Sequence, residues 1–207
     1  MTEPAAPQPP FQITKVAIIG AGVAGRSFAL ACVSAGFLVI LEDVMPANLR
    51  RAEAEYADAS PRGALQLAST VEEAVREADI AIDFVPDELE SKLEIFSMID
   101  RMAPPKTILC TPSYALSITD LASCVYRPDR CIALRGDLTA TAGEIRLLHP
   151  ARAAQSILAA TEDFLRALGL KVLTEPDPDV PMLMKNSPAS TTKPANRPFR
   201  HNTELFS

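Results

Sequence analysis

The residues with the clearest chemistry are Gly20-Ala21-Gly22-Val23-Ala24-Gly25, a GxGxxG spacing, with Asp43 further along. Glycines at these positions suit a loop that cradles phosphates. The first permits a tight turn. The second has no side chain, so a pyrophosphate can approach the backbone. The third lets the following helix pack close on the preceding strand. The helix start would add amide donors and positive dipole. Asp43 ends the next apolar run, where a carboxylate accepts hydrogen bonds from adenosine ribose hydroxyls and repels a 2′-phosphate. Val44, Met45 and Pro46 follow it rather than an arginine, and Arg50 and Arg51 lie further on. The expected ligand is therefore NAD(H) in preference to NADP(H). Glu42 competes with Asp43 for the ribose, because one residue of register decides between them.

Other reactive residue types are scarce. The chain has four cysteines, Cys32, Cys110, Cys124 and Cys131, and two histidines. None of the cysteines form a CxxC pair, so no zinc site is expected. Cys32 and Cys110 lie in apolar runs and read as small buried hydrophobes. The shortage of histidine leaves few of the usual carriers of protons near pH 7. A net charge of −6 argues against nucleic acid or an anionic membrane surface as partner. No run approaches the ~18 apolar residues that span a bilayer. The opening MTEPAAPQPP is acidic and proline-rich rather than a leader. With free thiols, this fits a cytoplasmic protein.

Periodicity supplies the elements that must hold the loop. Lys15–Ile19 reads as a short buried strand, Val23–Ala35 as a helix of little polar content, and Leu38–Glu42 as a second strand. A polar helix over Ala47–Ala57 and a short strand at Leu65–Ala68 follow. Ser69 with Glu72 makes a capping box for the next helix. Ile80–Val85 is a strong strand. Asp87–Met102 is an amphipathic helix with Leu89, Leu93, Phe96 and Ile99 on one face, continued by Ala103. Thr107–Cys110, Arg130–Leu134 and Glu144–Leu148 read as strands. Pro150–Leu168 reads as a helix with proline in its first turn and Gly169 past its end. Lys171–Thr174 closes the pattern. Strands alternating with helices predict an α/β fold of Rossmann type, a doubly wound, mostly parallel sheet with helices on both faces. Residues 1–12 form an arm, 13–185 the NAD-binding domain and 186–207 a polar tail. That tail is basic, with Lys193, Arg197 and Arg200 against Glu204.

From KVAIIGAGVAG to LVILEDV the chain resembles the N-terminal domain of L-3-hydroxyacyl-CoA dehydrogenases. The resemblance continues through ADIAIDFVPDELESKLEIFSMIDRMAPPKTILCTPSYALSITDLASCVYRPDRCIAL and covers roughly 15–185. It implies an NAD-dependent oxidoreductase of fatty acid metabolism. Gly20, Gly22, Gly25 and Asp43 match. At the step Val85-Pro86-Asp87, Asp87 takes the place of a family Glu near the nicotinamide-side ribose. Lys92 matches a family Lys close to cofactor and substrate. Each also has a structural reading: Asp87 as a helix N-cap with Glu90 at the third helical position, Lys92 as an exposed helix lysine.

The family's catalytic positions do not carry over. The resemblance implies a proton-accepting His, an orienting Glu, and a Ser and an Asn on the substrate oxygen. The Ser falls on Tyr114, the His on Arg135, the Glu on Arg146 or Glu144, and the Asn near Lys185. A guanidinium stays protonated and cannot be a general base near pH 7. His149, directly before Pro150, reads as a cap or surface residue. The family's long helical hairpin has room here for only one helix. Its second, helical domain has no counterpart before the chain stops at residue 207. Three readings stay open: an oxidoreductase of altered chemistry using Tyr114 and Arg135, a catalytically silent NAD(H)-binding sensor or regulatory subunit, or a half-enzyme completed by a separate helical partner. A small acyl or oxo-acid is the expected substrate class for an active form. A homodimer is expected through a rim of Tyr114, Leu138, Met182, Leu183 and Met184.

Overall fold

The computed structural model describes residues 11–59, 61–139 and 143–178. Along the chain run β1 (Lys15–Ile19), α1 (Val23–Ala35), β2 (Leu38–Glu42), α2 (Pro46–Ala59), β3 (Ala64–Ala68), α3 (Val71–Val75), β4 (Ile80–Asp83) and α4 (Leu89–Met102). Then come β5 (Ile108–Pro112), α5 (Ile118–Ala122), β6 (Cys131–Arg135), β7 (Glu144–His149), α6 (Gln155–Ala167) and β8 (Lys171–Pro176). The strands form one sheet in the order β3-β2-β1-β4-β5-β6-β7-β8. All neighbours are parallel except β6 and β7. The chain turns back there through Gly136, whose φ of +140° suits glycine.

Period-two alternation divides the strand side chains between two cores. Val16, Ile18, Val39 and Leu41 face Phe28 and Cys32 of α1, Ala52 of α2 and Phe164 of α6. Ala17, Ile19, Ile40 and Ala81 face Val71 of α3, Phe96 of α4 and Leu121 of α5. Central strands buried on both faces must read as continuous apolar runs, which is why KVAII and IAI look as they do. Phe11 also packs against the first core. Cys32, Cys110 and Cys131 are buried, and burial pushes their thiols up; Cys124 is exposed.

Several boundaries move for local reasons. The capping box is Thr70 with Glu73, one residue later than Ser69 with Glu72: Thr70 Oγ1 accepts from Glu73 N at 3.3 Å. The last long helix starts at Gln155, because Pro150–Ala153 closes a turn of its own. Pro150 therefore lies outside that helix. Leu138, expected on an exposed rim, is 6% exposed and belongs to the first core. Met182, Leu183, Met184 and Lys185 lie outside the described residues, as does most of each terminal segment.

Candidate functional site

The Gly20–Gly25 loop joins β1 to α1 at the C-terminal edge of the parallel strands. β1 sits between β2 and β4, where the strand order reverses direction, the place where open α/β sheets bind ligands. Gly20 has φ +102° and lies under Phe84, so a side chain there is strained. A Cβ on Gly25 would stand 1.9 Å from the Gly20 carbonyl oxygen. The sixth position must therefore be glycine for the loop to close onto its own helix. A Cβ on Gly22 would meet nothing within 4 Å. Nothing within the protein thus requires glycine there, and the space beside it is open. No side chain caps α1 at Gly22. The first-turn N–H groups of Val23, Ala24 and Gly25 point out of the helix start without helical partners. Open space, amide donors and the positive end of a thirteen-residue helix fit a pyrophosphate.

Asp43 follows β2 and is held against this loop. Its Oδ2 accepts from Ala21 N at 2.7 Å and from Asn48 Nδ2 at 3.0 Å; its Oδ1 accepts from Met45 N at 2.7 Å. A carboxylate offers about four acceptor sites. Three are used, and the remaining one is on Oδ1. Arg26 braces the other side: its Nη1 donates to the Ala21 carbonyl at 2.8 Å and its Nε to Glu55 Oε1 of α2 at 3.1 Å. Asn48, Arg26 and Glu55 were not singled out from sequence, since nothing local marks a side chain that serves a distant loop.

The second half of the rim is stitched together by backbone acceptors and donors. Asp87 Oδ2 accepts from Tyr114 N at 2.9 Å. It is not a helix cap: α4 starts after Glu88, which makes no side-chain cap bond. Tyr114 is 70% exposed and its hydroxyl donates to the Gly136 carbonyl at 2.8 Å. Arg135 ends β6, and its Nη2 donates to the Leu116 carbonyl at 3.2 Å. Val85 packs half-buried against the second core beside this rim. Hydrogen bonds thus link Asp87 to Tyr114, and Tyr114 to Gly136, the residue after Arg135. Arg146 pairs across the ladder with Arg135 and forms an ion pair with Glu175 at 2.7 Å; Glu144 is exposed at the start of β7. His149 is half-buried, with Nδ1 2.9 Å from the Pro150 carbonyl.

Lys92 is not an exposed helix lysine. It is 1% exposed, and its ammonium lies 2.5 Å from Oδ1 of Asp83, itself fully buried at the end of β4. Burial pushes the Asp83 carboxyl up, against the pull of the Lys92 ammonium. A lone carboxylate inside IAIDFV was the available signal for this pair. Glu42, the competitor for the ribose role, is 4% exposed. Burial first, and the neighbouring Asp43 charge second, raise its carboxyl from the ordinary 4.5 to about 7.

Residues 15–135 match the family model described as "3-hydroxyacyl-CoA dehydrogenase, NAD binding domain". The chain belongs to that family. NAD is the cofactor of this binding domain, and the phosphate loop and Asp43 fit it. A probable 3-hydroxybutyryl-CoA dehydrogenase of Bacillus subtilis is 32% identical over 139 residues, 59% of this chain and 48% of that protein. A 5-formyl-3-hydroxy-2-methylpyridine 4-carboxylate 5-dehydrogenase of Mesorhizobium japonicum is 24% identical over 188 residues, 84% of this chain and 60% of that protein. The chain thus spans about half to three-fifths of these relatives' length. Among solved structures, an (S)-3-hydroxybutyryl-CoA dehydrogenase of Ralstonia eutropha superposes with a TM-score of 0.72 at 23% identity, covering 80% of this chain and 64% of that one. At that identity the likeness speaks for the dehydrogenase fold. No described helix of this NAD-binding domain is long and apolar enough to cross a membrane.

Proposed function

We propose that this chain is an NAD(H)-binding, oxidoreductase-type domain whose own active-site positions do not support ordinary 3-hydroxyacyl-CoA dehydrogenation. The observation that carries this reading is Arg135. It occupies the position that the resemblance gives to the proton-accepting His, it stays protonated near pH 7, and its Nη2 is engaged by the Leu116 carbonyl. Tyr114, at the position of the family Ser, directs its proton to the Gly136 carbonyl. Neither group is placed to accept a proton from a substrate hydroxyl.

The cofactor end supports binding. Val23, Ala24 and Gly25 would hold the pyrophosphate through their amides, with Gly22 leaving the approach clear. Asp43 Oδ1 would accept a ribose hydroxyl and disfavour a 2′-phosphate. Val85 and Asp87 would flank the nicotinamide side, with Lys92 and its counter-ion Asp83 behind them. NAD, when bound, supplies a hydride acceptor there. A second reading keeps chemistry of another kind, because Tyr114 and Arg135 share one rim: the hydroxyl would polarise a substrate oxygen and the guanidinium would hold an anionic group. Relatives named as dehydrogenases favour keeping this reading in view.

Fluorescence titration with NADH and NADPH tests the binding half; NADH should bind far more tightly, and equal affinities would sink the preference. Stopped-flow mixing with NADH, acetoacetyl-CoA and free 3-oxo acids tests the other half. Loss of a general base costs ~10²–10⁴ in rate, so turnover with acetoacetyl-CoA should fall far below about 10 per second. Ordinary turnover would show that a base sits elsewhere. Turnover confined to a free oxo acid would select the second reading.

A further inference from the structure

Glu42 is the last residue of β2, immediately before Asp43, and takes no part in the hydrogen bonding that holds Asp43 in place. The residue is 4% exposed, and no group among the described residues donates a hydrogen bond to its carboxyl, whose environment is set by burial and the Asp43 charge alone. In the strand register it lies beside Ile19 of β1 and Ala68 of β3, on the face covered by α3. Buried carboxyls without donors are uncommon because burial costs the full hydration of the group. The charged groups on the elements packed against β2 offer no relief. Lys15 on β1 is paired with Glu77 at the other end of the strand. Arg26 on α1 is held by Glu55 and the Ala21 carbonyl, on the opposite face. Glu72 and Glu73 on α3 are themselves acidic, and Arg76 at the end of α3 lies beside Leu38 and Ile40 at the start of β2 and pairs with Glu72; β3 carries no charge, and Asp43 next along the chain is an anion.

We propose that Glu42 is a second specificity residue of the adenosine subsite, taking up a proton as the nucleotide settles beside it. The inference rests on the cofactor reading above. Asp43 can only accept hydrogen bonds, and three of its four acceptor sites are filled from the protein. A neutral Glu42 adds what Asp43 lacks, an O–H donor for a ribose oxygen or an adenine ring nitrogen, and adds no second negative charge beside a dianionic pyrophosphate. Covering the site with a nucleotide removes the remaining water from the carboxyl and disfavours its ionised form further. A carboxyl already poised near neutrality makes that proton uptake measurable between pH 6 and pH 8.5.

The test is NADH binding by the whole chain. Affinity should weaken as pH rises from 6 to 8.5, with a slope of at most about tenfold per unit. Titration calorimetry near pH 7.5, in two buffers of different ionisation enthalpy, should register uptake of a fraction of a proton per NADH bound. Glu42→Gln keeps the shape and a donor and cannot ionise. It should bind NADH as the wild type does at pH 6 and hold that affinity at pH 8.5, with no proton uptake. The calorimetric arm needs only the wild-type protein, so a poorly folding variant does not remove the test. NADH binding that is flat with pH and free of proton exchange would overturn the inference and leave the cofactor reading standing. Absence of NADH binding at every pH would overturn both.

Discussion

Lys92 and Asp83 meet where neither charge can be hydrated. Such a pair is poor evidence for net stability, because desolvation offsets the attraction, but breaking it leaves a lone buried charge. Lys92→Met should therefore lower stability by about 3–5 kcal/mol, read from urea midpoints. Adding Asp83→Leu should recover most of that loss; a double variant as unstable as the single one would mean that the damage is packing rather than charge. Glu42 gives a prediction of opposite sense. The folded protein keeps the Glu42 proton up to about pH 7, whereas an ordinary carboxyl loses it near 4.5. Its contribution to stability is thus full below 4.5, declines through that window and becomes a standing penalty above 7. Glu42→Gln removes the penalty, so the gain in Tm should be larger at pH 8 than at pH 5. Equal gains at both would show that Glu42 ionises normally in the fold.

At the scale of elements, the phosphate loop separates two kinds of glycine. Gly25→Ala drives a methyl into the Gly20 carbonyl, a backbone atom that cannot step aside. It should cost about 1–3 kcal/mol as overpacking and disturb the loop. Gly22→Val meets open space, so Tm should move by less than the Gly25 change while NADH binding is lost. Melting curves and fluorescence titration on the two variants check this; a Gly22→Val protein that still binds NADH would place the pyrophosphate elsewhere. These glycines were legible because steric demand leaves its trace in residue type at fixed spacing. The strands were legible because burial on both faces forces continuous apolar runs. The bonds at the rim were not. Tyr114 meets Gly136, and Arg135 meets Leu116, only after β5 and β6 pair and their loops come together. Nor does an isolated reading of α4 reveal that Lys92 points inward, since that depends on how the helix docks on the sheet and brings Lys92 to Asp83. The capping box slipped by one residue because Ser69 and Thr70 both suit the role, and only the loop entering α3 chooses.

At the scale of the molecule, the C-terminal edge of the sheet leaves Val23, Val44, Met45 and Tyr114 exposed, while Leu138 has gone into the core. Apolar groups clustered on one edge favour burial against something. A twofold dimer at micromolar concentration is the expected outcome by light scattering, and a species of the chain's own mass at every concentration would reject it. The distribution of sulfur has a more practical consequence. Three of the four thiols are sealed among apolar side chains on the two faces of the sheet, and only Cys124 meets solvent. A chromogenic thiol reagent should therefore titrate one group per chain in the native protein and four after denaturation. The slow appearance of the other three, timed in mild denaturant, becomes a clock for opening of the whole sheet. Saturating NADH should slow that clock without silencing Cys124, which makes a colour change in a cuvette a report on cofactor binding.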